Sequence, residues 1–89
     1  MNSNHTWNVH VPKSVGKTLE KFPKQEKERI LEILRSFEVN PWEGDIIKIK
    51  GEANAWRRRI GNYRIFYSIL RENNLIEIKE VERRTTRTY

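Results

Sequence analysis

Residues 56–67 read WRRRIGNYRIFY, and what this stretch becomes decides the fold. Aromatic and β-branched residues at alternate positions ask for a strand, yet Arg57, Arg58, Arg59 and Arg64 all lie within it. Gly61-Asn62 divides it, and such a pair between alternating runs predicts a tight hairpin. Successive strand residues point to opposite faces. Trp56, Arg58 and Ile60 therefore fall on one face of the first strand, and Arg57 and Arg59 on the other. In the second strand, Tyr63, Ile65, Tyr67 and Ile69 share a face, while Arg64 lies opposite with Phe66 and Ser68. If one face packs into a core, the other is free to carry arginine.

The surrounding sequence supplies that core. Upstream, DIIKIK (45–50) sets Ile47 and Ile49 two apart, and Gly51 breaks the run. Downstream, Glu72-Asn73-Asn74 turns the chain into LIEIKEV (75–81). Consecutive strands joined by short turns predict an antiparallel meander. At the N-terminal side, TWNVHV (6–11) alternates, which predicts a half-buried strand ended by Pro12. Ser14 is the expected cap of a short helix reaching about Lys21, with Val15, Leu19 and Phe22 on one face. After Pro23, KQEKERILEILRSFEVN (24–40) is the clearest helix: Ile30, Ile33, Leu34 and Phe37 form its apolar stripe, and Asn40-Pro41 closes it. The short turn between the helices makes them an antiparallel pair. The expected order is β-α-α-β-β-β-β, an α+β fold with an antiparallel sheet packed on an N-terminal helical hairpin, in one domain over residues 1–89.

The chain has 89 residues, 36% hydrophobic and 34% charged, enough for one small core. Eighteen Lys and Arg against 12 Asp and Glu leave a net charge of +6, which favours a polyanionic partner. The chain has no cysteine, so neither a disulfide nor a thiolate metal site is available. No apolar run approaches the ~20 residues of a membrane span. MNSNHTWNVH lacks the apolar stretch of an export signal. A cytoplasmic protein with no membrane partner is expected.

Arg83, Arg84 and Arg87 in the closing segment VERRTTRTY (81–89) follow the last predicted strand. Two arginine clusters meeting at one end of a sheet would concentrate a phosphate site. DIIKIKG (45–51), WRRRIGNYRIFYSI (56–69) and VERRTTRTY, in this order and spacing, resemble the RelE/ParE superfamily of type II toxin–antitoxin toxins, and most closely its RelE messenger-RNA interferase branch. The resemblance covers almost the whole chain.

That resemblance implies a ribosome-dependent endoribonuclease that cuts messenger RNA in the A site. The 2′-hydroxyl attacks the adjacent phosphate, leaving a 2′,3′-cyclic phosphate and a 5′-hydroxyl. Such chemistry needs a base, cations for the phosphorane and an acid for the leaving oxygen; no metal or other cofactor is implied. By position in the motifs, Arg64 is expected to hold the scissile phosphate, Arg57 and Arg59 to flank it, Arg84 to join from beyond the last strand, and Tyr89 to act as acid or stack on a base. Lys48, Lys50, Arg58, Arg83 and Arg87 are the expected RNA-binding residues around them, with Arg83 a rival to Arg84 at the phosphate.

The family often has lysine where this chain has Arg57 and Arg59. Arginine stays protonated and makes a poor base, so the base is open between Lys48, Lys50 and activation of the phosphate alone. His5 and His10 are joined to nothing else in the sequence, and Trp7, Trp42 and Trp56 read as packing residues. The resemblance further implies a cognate RelB-like antitoxin, the ribosome and its messenger RNA as partners, and operator DNA indirectly through the antitoxin complex. The alternatives are a ParE-like poison of DNA gyrase and a catalytically degenerate binding protein on the same fold.

Overall fold

The computed structural model describes residues 6–84. Strand β1 (Asn8–His10) is followed by helices α1 (Lys13–Glu20) and α2 (Lys24–Ser36), then by β2 (Ile46–Lys48), β3 (Ala55–Ile60), β4 (Tyr63–Leu70), a 3-10 turn (Arg71–Asn73) and β5 (Leu75–Arg83). The sheet order is β1-β5-β4-β3-β2. Strands β2 to β5 form the expected antiparallel meander, but β1 joins β5 in parallel, so the sheet is mixed. Two bonds between residues far apart in the chain mark this junction. The Asn8 amide donates to the Asn74 carbonyl at 3.0 Å, and Asn74 Nδ2 donates to the Thr6 carbonyl at 2.8 Å. Asn74 takes a left-handed φ of 53°, which asparagine tolerates better than most side chains.

Both helices begin after a proline, Pro12 and Pro23, with no side-chain cap. The expected cap, Ser14, lies inside α1, where its carbonyl accepts a bond from Thr18 Oγ1 at 3.2 Å. Proline's fixed φ and extended ψ start the helix one residue before the serine. From α1, Val15 and Leu19 are buried; from α2 and its end, Ile30, Leu34 and Phe37 are buried. They pack on Tyr63, Ile65, Tyr67 and Ile69 of β4 and on Ile76, Ile78 and Val81 of β5. Trp7, Trp42 and Trp56 border this core, in keeping with a packing role, and Trp7 meets Trp42 edge-on at 5.4 Å.

The hairpin between β3 and β4 is the two-residue turn Gly61-Asn62. Gly61 has φ of +55° and Asn62 no positive φ, the type II′ pattern that matches strand twist. Between β4 and β5 a bulge shifts the register: Phe66 faces Glu80, whereas Tyr67 faces Ile78. The extra residue, Lys79, lets both Ile78 and Val81 reach the core.

Tyr67 ties the sheet to the loop after α2. Its ring stacks at a tilt on Phe37 at 4.5 Å, and its hydroxyl donates to the carbonyl of buried Pro41 at 2.7 Å. Burial pushes this hydroxyl from its ordinary value of 10.0 up to about 12, against a smaller pull downward from the Arg58 cation. The folded state therefore holds the proton more tightly than the unfolded state. The resulting stability is fully present below pH 10.0 and is lost as pH rises through about 12. Tyr67→Phe is expected to lose about 1–2 kcal/mol at neutral pH through the missing hydrogen bond. Its stability should also fall less steeply than the wild type's across that alkaline window. Urea denaturation at neutral and alkaline pH measures both effects.

Candidate functional site

The two helices cover one face of the sheet and leave the other open. Facing pairs in an antiparallel ladder share a face, so the register assigns each side chain. Arg59 opposes Arg64 and Arg57 opposes Phe66 across β3 and β4; Arg64 opposes Glu82 and Phe66 opposes Glu80 across β4 and β5. The helix-facing residues of β4 are buried, so Arg57, Arg59 and Arg64 lie together on the open face, as the alternation predicts.

One row crosses four strands' width. The Arg59 amide donates to the Asp45 carbonyl at 2.9 Å, and Arg59 Nε donates to Asp45 Oδ2 at 3.1 Å. Next to Arg59 comes Arg64, and Arg64 Nη1 lies 3.9 Å from Glu82 Oε1. The row is thus Asp45, Arg59, Arg64, Glu82, two cations between two carboxylates. Neighbouring strands are ~4.8 Å apart, so both guanidinium groups can reach the oxygens of one phosphate. Arg57 Nε and Arg64 Nε are buried and have no hydrogen-bond partner among the described residues. Donors left this way cost free energy until an acceptor reaches them.

The remaining basic residues divide. Arg84 follows β5, and its amide donates to the Asn62 carbonyl in the β3–β4 turn. Counting by two from Glu82, it lies on the open side at the arginine-bearing end of the sheet. Arg83 opposes Tyr63 on the helix side, and its Nη2 lies 3.9 Å from Glu26 Oε1 on α2. Lys48 and Lys50 border a cleft of about 470 Å³ shared with Ile47, Ile49, Arg57 and Phe66. Ile47, opposite Arg57, is the β2 residue on the open face and is 50% exposed. Lys48 opposes Trp56 and so lies on the helix side, where it also borders Trp42.

Arg58 is not part of the cluster. It opposes Ile46 and Ile65, and its guanidinium lies 5.9 Å from the Phe37 ring centre on the helix side. Gly44, at φ +96°, passes so close that a Cβ there would stand 2.6 Å from Arg58 Cζ. Glycine at 44 makes room for this cation, whose field favours the aromatic face beneath it. Arg87 and Tyr89, like His5, lie outside the described residues. His10 Nδ1 lies 3.7 Å from Glu77 Oε2, away from the arginines on the far side of β5.

Asp45 and Glu82 are site neighbours that the sequence reading missed. Their signal was present in part: Glu82 precedes Arg83 in the closing motif, but its position opposite Arg64 depends on the bulge in β5. No helix among the described residues is long and apolar enough to cross a membrane.

With this geometry, residues 12–87 match the family described as the ParE toxin of the type II toxin–antitoxin system, parDE. A toxin candidate named RelE1 in Methanocaldococcus jannaschii is 31% identical over 81 residues, which are 88% of this chain and 90% of that protein. The toxin in the archaeal RelE–RelB complex from Pyrococcus horikoshii OT3 superposes with a TM-score of 0.78 at 32% identity, over 89% of this chain and 96% of that one. The isolated E. coli RelE toxin shares the fold at a TM-score of 0.76, with 14% identity over 91% of this chain and 87% of that one.

Proposed function

The chain belongs to the RelE/ParE superfamily of type II toxin–antitoxin toxins, and on that premise we propose that it is a ribosome-dependent endoribonuclease. In this reading it cleaves messenger RNA in the A site and so arrests translation. The observation that carries the reading is the cluster of Arg57, Arg59 and Arg64 on the sheet face opposite the helices. A helix-free face holding three guanidinium groups suits a phosphodiester, and two of their Nε donors have no hydrogen-bond partner among the described residues.

The roles follow from charge and reach. Arg64 grips the scissile phosphate from the centre of the row, because its planar fork can bond two oxygens at once. Arg57 and Arg59 stabilise the extra negative charge of the phosphorane. Arg84 closes the site from the hairpin end, and Tyr89 supplies the proton to the leaving oxygen or stacks on a base. Lys50 and Arg87 track the RNA backbone beyond the cut, whereas Lys48, opposite Trp56 on the helix side, does not. Asp45 fixes the Arg59 guanidinium through its 3.1 Å bond.

The partners proposed are a RelB-type antitoxin, as in the solved complex of the Pyrococcus relative, the ribosome with its messenger RNA, and operator DNA reached through the antitoxin. With a net charge of +6, association with an acidic antitoxin segment is fast at low salt and weakens as salt rises. The family description names ParE, which keeps a second reading: a gyrase poison that needs no RNA-cutting arginines. A translating extract supplied with the protein separates the two when messenger-RNA 5′ ends are mapped. Cuts within A-site codons support the ribonuclease. Intact messenger RNA together with gyrase-dependent double-strand breaks in DNA would replace it with the second reading.

A further inference from the structure

The arginines of the open face bind and stabilise phosphate but leave the reaction without a base. Among the described residues, Asp45, Glu77, Glu80 and Glu82 lie on this side of the sheet or along its edge. Asp45 is engaged by Arg59 Nε at 3.1 Å. Glu77 stands between His10 at 3.7 Å and Lys79 at 3.5 Å. Glu80 opposes Phe66 rather than a cation. Glu82 differs from these in position and in freedom. It stands directly opposite Arg64, at an oxygen-to-nitrogen distance of 3.9 Å. That is beyond hydrogen-bond length, so the carboxylate is beside the guanidinium without being consumed by it. Its side chain is 46% exposed, open to a ligand on that face, and Arg84 follows two residues on.

We infer that Glu82 is the general base of the proposed cleavage, an assignment that rests on the ribonuclease reading. A phosphate held by Arg59 and Arg64 puts the ribose on its 3′-oxygen within reach of the next strand, where Glu82 stands. The Glu82 carboxylate takes the proton of the 2′-hydroxyl, and the 2′-oxygen forms a bond to phosphorus. The bond from phosphorus to the 5′-oxygen breaks. The leaving oxygen keeps the electron pair and takes a proton from the acid or from water. Arg64 serves both partners: it neutralises the phosphorane and stands 3.9 Å from the carboxylate. Lys48 and Lys50, the earlier candidates for the base, border the β2 cleft at the opposite side of the β3–β4 pair from Glu82.

The test is single-turnover cleavage on messenger-RNA-programmed ribosomes by the wild type, Glu82→Gln, Glu82→Ala and Glu82→Asp, with ribosome binding measured in parallel. A base contributes roughly 10²–10⁴-fold. Glu82→Gln and Glu82→Ala should each lose at least about 100-fold in rate, while binding stays equal or tightens because an anion has left a phosphate site. Glu82→Asp, which keeps the carboxylate, should retain part of the rate and guards against a variant lost to misfolding. A group that merely positioned Arg64 would behave differently: glutamine still accepts a hydrogen bond, so Glu82→Gln would cut nearly as well as the wild type. That result, or faster cutting by Glu82→Gln, overturns the assignment and leaves the ribonuclease reading standing. A wild type that cuts nothing overturns both.

Discussion

Arg64→Ala is expected to slow cleavage of translated messenger RNA by roughly 10²–10³-fold, the loss typical of removing one charge-stabilising donor from a reacting centre. Arg64 lies in the middle strand of the row, with Arg59 on one side and Glu82 on the other, so its removal takes the cation from the centre of the proposed phosphate site. The backbone of β4 is paired on both sides and its core face is unchanged, so thermal stability should move by no more than about 1 kcal/mol. Arg64→Lys should recover only part of the rate, because an ammonium offers a point charge where the guanidinium offers a fork. Single-turnover rates and thermal melts on the same preparations check both halves. A variant with alanine that cuts within a few-fold of the wild type would mean that another group holds the phosphate.

Phe37→Ala carries the largest expected cost in stability, about 3–5 kcal/mol. Phe37 is fully buried and is the contact between the end of α2 and the sheet. Its ring lies against Tyr67 at 4.5 Å and beneath the Arg58 guanidinium at 5.9 Å. Removing it opens a cavity and also leaves the half-buried Arg58 cation without its aromatic partner. Domains of this size hold roughly 5–15 kcal/mol in total, and each kcal/mol is worth about 4–8 °C. The melting midpoint should therefore fall by at least about 12 °C, measured by circular dichroism. A fall of only a few degrees would mean that the helices are anchored elsewhere, with Ile30 and Leu34 the next candidates.

Much of this fold was legible because it is local. The two-residue turn at Gly61-Asn62 and the alternation from Tyr63 to Ile69 set the β3–β4 hairpin, and the stripe Ile30, Ile33, Leu34, Phe37 set α2. The same alternation placed Arg57, Arg59 and Arg64 away from the core. What was not legible depends on contacts between distant residues. The parallel seating of β1 relies on Asn74 meeting Thr6 and Asn8, a pairing that no periodicity encodes. Alternation puts Arg58 on the helix side, but its lodging against Phe37 depends on the close passage of Gly44. Glu82 comes to face Arg64 only after the bulge at Lys79 resets the register of β5; counted without it, the carboxylates of that strand fall one place out of step.

The most direct test of the central account is the chemistry of the ends left on messenger RNA when the purified toxin acts on stalled, programmed ribosomes. Attack by the 2′-hydroxyl predicts a 2′,3′-cyclic phosphate on the upstream fragment and a 5′-hydroxyl on the downstream one, at a cut inside the A-site codon. A 5′-phosphate at the cut, or arrested ribosomes holding intact messenger RNA, would contradict the account.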